Sequence, residues 1–248
     1  MISANLATLL AAKGKKTCLL DMDFQAPSLH SLLETAPPEY WLNDYLDGNC
    51  EPSETIQNCN QKMLEGQLFV GFANPSTKAI LEMSAKNARW EVKALQRLFD
   101  LRESLLTEHG FEYLILDTSP GLQYSSINSV VAADIALIVT TPEESDIAGT
   151  QQMIRFLHRR IGKRIMVLFN KVPSDWIQSE EMTRLKDSLA SQKTIFCDDI
   201  RCFCELPVSE DPCFFACEKG YHPFSKCLGK IVSRLVLLNA VDEPRRKH

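Results

Sequence analysis

Six short apolar runs without polar alternation constrain this chain more than any other feature: Thr17–Leu20, Leu68–Phe72, Tyr113–Leu116, Ala136–Thr140, Ile165–Phe169 and Thr194–Cys197. A strand with no polar face is buried on both sides, as in a parallel sheet covered by helices. Helical patterns lie between the runs. Trp90, Lys93, Ala94, Arg97, Leu98, Leu101 and Leu105 follow one such spacing, Ile147 to Ile161 a second, and Met182, Leu185 and Leu189 a third. This alternation predicts an α/β, doubly wound, mostly parallel sheet with helices on both faces. A chain of 248 residues, 45% of them hydrophobic, has the material for one such domain over residues 1–248. Ligands in these folds sit beyond the carboxyl ends of the strands, so the residues after each run are where chemistry is sought.

The charge balance narrows the partners. A net charge of −5 supplies no general electrostatic attraction to nucleic acid or anionic membrane. No stretch reaches the roughly 18 apolar residues of a spanning helix. Met1 to Asn5 lack the basic region of a signal peptide, and a cytoplasmic protein is expected. Nine cysteines in a reducing compartment read as buried small hydrophobes, free thiols or metal ligands rather than a disulfide framework.

The chain opens on a helical pattern: Ile2, Leu6, Leu9 and Leu10 with Ala4, Ala7, Ala11 and Ala12 between, closed by Gly14. No strand precedes it. After the first strand stand Asp21-Met22-Asp23-Phe24-Gln25-Ala26-Pro27-Ser28-Leu29. Two carboxylates at a strand end suit a magnesium shell or the orientation of a water, and aspartate equally forms turns before helices. After the third strand stand Asp117-Thr118-Ser119-Pro120-Gly121. An acidic residue closing a buried apolar strand is the Walker B arrangement, and Gly121 lets the backbone approach a terminal phosphate. Thr141-Pro142-Glu143-Glu144-Ser145 reads as a helix-starting turn. Asn170 follows the fifth strand, and its amide can pair with an adenine edge. Leu206-Pro207 follows the sixth and can flank a base or form an ordinary stiff turn.

The order of these motifs resembles the MinD/ParA family of deviant Walker P-loop ATPases, from Ser3 to about Leu235. Ala4-Asn5-Leu6-Ala7-Thr8-Leu9-Leu10-Ala11-Ala12-Lys13-Gly14-Lys15-Lys16 is similar to the family's first helix. Asp21 to Leu29 resembles its switch I, and Asp117 to Gly121 its switch II. The resemblance implies that Asp23 orients the attacking water and Asp21 supports the magnesium site. It implies that Asp117 holds Mg²⁺ through water, that Gly121 senses the γ-phosphate, and that Asn170 and Pro207 contact adenine. It further implies ATP sandwiched in a homodimer whose assembly reports the nucleotide state and drives a protein partner.

One family element is missing from the sequence. Met1 falls just after the threonine of the family's K-G-G-x-G-K-T loop, whose backbone N–H groups and lysines stabilise the phosphates. ATP hydrolysis by this chain alone is expected to be negligible. A truncated chain and a relative that has lost the loop both fit, and intact remaining motifs favour truncation.

Six cysteines cluster late: Cys197, Cys202, Cys204, Cys213, Cys217 and Cys227. Cys202 with Cys204, and Cys213 with Cys217, are close enough to share a metal, yet neither pair has the usual C-x-x-C spacing. Phe214, Phe215 and Ala216 give that region a core-like composition. Three functions stay open: an ATP-driven dimer switch, a nickel or iron–sulfur maturation ATPase using those thiols, and a non-enzymatic scaffold.

Overall fold

In the computed structural model the described residues are 1–61, 64–121, 123–190, 194–197, 199–200 and 212–246, with side chains through residue 238. The first part runs α1 (Ile2–Ala12), β1 (Lys16–Asp21), α2 (Leu29–Leu33), α3 (Leu42–Asp47), β2 (Ile56–Asn58), β3 (Gln67–Gly71), α4 (Thr77–Ser84), α5 (Ala88–Glu103), β4 (Tyr113–Asp117) and α6 (Tyr124–Ala132). The remainder runs β5 (Ile135–Thr140), α7 (Glu144–Phe156), β6 (Arg164–Phe169), α8 (Glu180–Leu189), β7 (Thr194–Phe196), α9 (Phe215–Glu218) and α10 (Pro223–Arg246). The chain divides into two compact units. One comprises Met1–Ala133 with Glu210–Cys217, and the other Asp134–Ser209 with Glu218–His248.

The first unit is built on a sheet of order β2-β3-β1-β4. β1 pairs in parallel with both β3 and β4, and the short edge strand β2 pairs antiparallel with β3. The side chains of β1 alternate between two apolar layers. Cys18 and Leu20 pack with Leu42, Tyr45, Leu46, Ala94, Leu98 and Leu101, from α3 and α5. Leu19 packs with Ala4, Ala7 and Ala11 of α1 and with Leu68, Val70 and Phe72. Burying both faces is what dispenses with polar alternation, and each large side chain so buried contributes about 1.5–3 kcal/mol. The alanines of α1 lower its side-chain bulk where it meets the sheet.

Gly66 fixes how α1 hands over to β1. Its N–H donates to the Ala11 carbonyl at 2.8 Å. A Cβ there would lie 2.6 Å from Gly14 C and Lys15 N and closer still to Lys15 O, all backbone atoms that cannot swing aside. Gly66→Ala is therefore expected to destabilise the chain by about 1–3 kcal/mol. A thermal melt checks it. A midpoint equal to wild type would show that the turn at Gly14 has slack.

The second unit carries the parallel sheet β5-β6-β7. β6 is central, and Ile165 to Phe169 are wholly buried. α7 ends in a π-helical turn over Leu157–Ile161, closed by Gly162 in the left-handed conformation (φ 71°). Ser179 caps α8 by accepting from the Met182 N–H. Phe224, Cys227, Leu228, Ile231 and Val232 of α10 are buried, as expected of a packed terminal helix. No helix among the described residues is long and apolar enough to cross a membrane.

Candidate nucleotide site

β1 and β4 end side by side, with Asp21 and Asp117 opposite each other in the parallel register. The Met22 N–H donates to the Asp117 carbonyl at 2.7 Å and prolongs the pairing beyond the strand ends. Two carboxylates thus meet where parallel sheets bind ligands.

Their surroundings differ. Asp21 is buried, 1% exposed. Its Oδ1 accepts the Asp23 N–H at 3.2 Å and its Oδ2 the Leu29 N–H at 3.3 Å. Both oxygens are thereby committed to the loop that leads into α2. Burial pushes the Asp21 carboxyl up to about 7; the charges of Asp117 and Asp23 add to the rise, and the two backbone N–H groups oppose it.

This shift has a direction in pH. Below the ordinary carboxyl value near 3.8 both folded and unfolded chains hold the proton. From there to about 7 the folded chain keeps a proton that the unfolded chain releases, so stability falls as pH rises through that window. Above about 7 the whole cost of the buried charge is present. Wild type is expected to lose about 2–4 kcal/mol from this group between pH 4 and pH 8, a slope that Asp21→Asn flattens. Denaturant titrations at both pH values check it. Parallel pH profiles for the two proteins would assign the slope to other groups.

Asp23 is half-buried and forms a local turn, its Oδ1 accepting the N–H groups of Gln25 at 3.2 Å and Ala26 at 3.0 Å. Asp117 receives a hydrogen bond on Oδ1 from the Ser3 hydroxyl at 2.6 Å, across 114 residues of sequence. Gly121 is exposed and left-handed at φ 93°, a conformation that favours glycine. The Ser126 hydroxyl donates to the Ser119 carbonyl at 3.0 Å and ties this loop to α6.

Asp21, Asp23, Asp117 and Gly121 therefore share the first unit. Asn170 lies in the second, half-buried at the carboxyl end of β6, with its N–H donating to the Thr140 carbonyl at 2.7 Å. Pro207, Cys202 and Cys204 fall outside the described residues. Cys213 is wholly buried in an apolar cluster with Phe214, and Cys217 is half-buried. Among the described residues no group of three or more His, Cys, Asp or Glu side chains is placed to hold a metal ion. Two polar residues that motif reading passed over, Ser3 and Asn5, turn inward from α1. The signal available was their position in an otherwise apolar helical pattern.

The family model described as AAA domain matches residues 1–167. The septum site-determining protein MinD of Thermotoga maritima is 29% identical over 189 residues, covering 75% of this chain and 64% of that protein. The chain spans less than two thirds of the length of such curated relatives. Among solved structures, the MinC:MinD cell division complex of Aquifex aeolicus superposes with a TM-score of 0.74 at 19% identity, covering 95% of this chain and 88% of that one. MinD of Pyrococcus horikoshii complexed with Mg-ADP gives 0.72 at 18%, covering 97% and 91%. At such identities the superpositions establish the fold. The chain belongs to the MinD/ParA family of P-loop ATPases.

Proposed function

We propose that this chain forms the ATP-binding core of a cytoplasmic dimer switch that positions or loads a protein partner. The observation that carries this reading is the in-register pairing of Asp21 with Asp117 at the ends of β1 and β4, the place where such sheets bind ligands. The donor chemistry fits Mg²⁺. Asp117 spends one carboxylate oxygen on Ser3, and its other is a hard oxygen suited to the hydration shell of the ion. Asp21 has both oxygens engaged by the loop, so its part is to fix Asp23 rather than to bind metal. Asp23 orients the attacking water and Gly121 offers its backbone to the γ-phosphate, while Asn170 and Pro207 take the adenine side. When bound, Mg²⁺ would offset phosphate charge. The Aquifex structure pairs MinD with MinC, which supports a protein as the switch's target here.

Sedimentation velocity with Mg²⁺ and a non-hydrolysable ATP analogue tests the switch. It uses this chain and a form extended ahead of Met1 by an added strand and K-G-G-x-G-K-T phosphate loop. The extended form is expected to sediment at twice its monomer mass with the analogue and as a monomer with ADP. A nucleotide-independent mass would contradict a dimer switch.

A further inference from the structure

One hydrogen bond ties the first turn of α1 to the end of β4. The Ser3 hydroxyl donates to Asp117 Oδ1 at 2.6 Å, the length expected of a hydroxyl on a carboxylate. A serine in a helix ordinarily bonds to backbone nearby, whereas this one reaches across 114 residues of sequence. Both ends of the bond stand on fixed elements. α1 is seated on the sheet through Ala4, Ala7 and Ala11, which pack with Leu19, Leu68 and Val70. Asp117 closes β4, and its carbonyl accepts the Met22 N–H at 2.7 Å.

The sheet therefore fixes the main chain of Asp117 but not its carboxylate. The last torsion of an aspartate side chain is broad, so the strand alone leaves the carboxylate free to turn. The Ser3 hydroxyl removes that freedom by engaging Oδ1. Oδ2 is left without a hydrogen-bond partner among the described residues. Asp21 cannot stand in for it, since both of its oxygens accept N–H groups, from Asp23 and Leu29. We infer that Ser3 is a positioning residue for Asp117: its hydroxyl holds Oδ1 so that Oδ2 is kept for the water shell of a divalent cation bound with nucleotide. The inference rests on the nucleotide reading proposed above. Ser3 itself touches neither ion nor nucleotide. It acts by preorganisation, as groups behind a metal site do, and their removal ordinarily weakens the metal by about 10–100-fold.

The test titrates Mn²⁺ into the extended form with ADP by electron paramagnetic resonance, beside ADP affinity measured in EDTA. Ser3→Ala is expected to weaken Mn²⁺ about tenfold and to leave ADP in EDTA within about twofold of wild type. Alanine is the better helix former, so the variant keeps α1. Ser3→Thr retains the hydroxyl and is expected to hold Mn²⁺ within about threefold of wild type. A serine that only braced α1 would lower both affinities together. On the 248-residue chain, with neither ion nor nucleotide, Ser3→Ala and Asp117→Ala are expected to shift the denaturant midpoint non-additively, because they break the same bond. Additive shifts, equal losses for Mn²⁺ and for ADP in EDTA, no loss of Mn²⁺, or a loss in Ser3→Thr as large as in Ser3→Ala each overturn the inference and leave the nucleotide reading standing. Wild type binding no ADP removes that reading and this inference with it.

Discussion

Phe214→Ala is expected to destabilise the chain by about 3–5 kcal/mol, the range for deleting a buried aromatic ring. Phe214 is 1% exposed and shares a cluster with Ala4, Ala7, Ala11, Leu19, Leu29, Leu68, Val70 and Phe72. Its neighbours come from α1, β1, β3 and the Asp21 loop, none of which can close the void without shifting a site element. The three alanines are too small to fill it by changing rotamer. Denaturant titration should show a lower midpoint at an unchanged slope. A loss below about 1 kcal/mol would mean that residues 212–217 are dispensable to the first unit.

The second large effect concerns turnover. Asp23→Asn in the extended form is expected to cut ATP hydrolysis by about 100-fold or more, the usual scale for removing a group that aligns and deprotonates a nucleophile. Asparagine keeps an Oδ1 that can accept the Gln25 and Ala26 N–H bonds, so the turn and the melting temperature should survive. Asp23→Ala removes turn and carboxylate together and should lower stability as well. This pair separates the two meanings of an aspartate before a helix. If Asp23→Asn hydrolyses ATP like wild type, Asp23 is a turn former and another group must orient the water.

Much of the fold was legible because buried parallel strands leave so plain a mark. The six apolar runs all became strands, with no end shifted by more than one residue, as where polar Lys16 and Arg164 join the ladder. β2 was not legible: Ile56–Asn58 is a three-residue edge strand with half-exposed side chains and no periodic signature. α2 and α3 were missed because five or six residues are too few to establish a helical period. The division into two compact units leaves no mark in composition, since β4 and β5 are separated only by the ordinary helix α6.

The candidate site was legible as a set of positions and not as a set of roles. Spacing after the strands picked out Asp21 and Asp117, but nothing local says that Asp21 turns both oxygens inward to the Asp23–Leu29 loop while Asp117 keeps one for other use. That difference arises from hydrogen bonds to residues eight positions away in one case and 114 in the other. The Asn5 side chain donates to the Pro212 carbonyl and accepts the Ala216 N–H across 207 and 211 residues, beyond the reach of any local pattern. For Cys213, the apolar residues around it favoured a core thiol, and it is wholly buried in an apolar cluster.

The most direct test of the central claim measures ATP binding and hydrolysis on two proteins, the 248-residue chain and the form extended upstream of Met1. The account predicts that the extended form binds and turns over ATP and that Asp23→Asn silences it. Failure of both forms to bind ATP would contradict it and leave partner binding as the function to pursue.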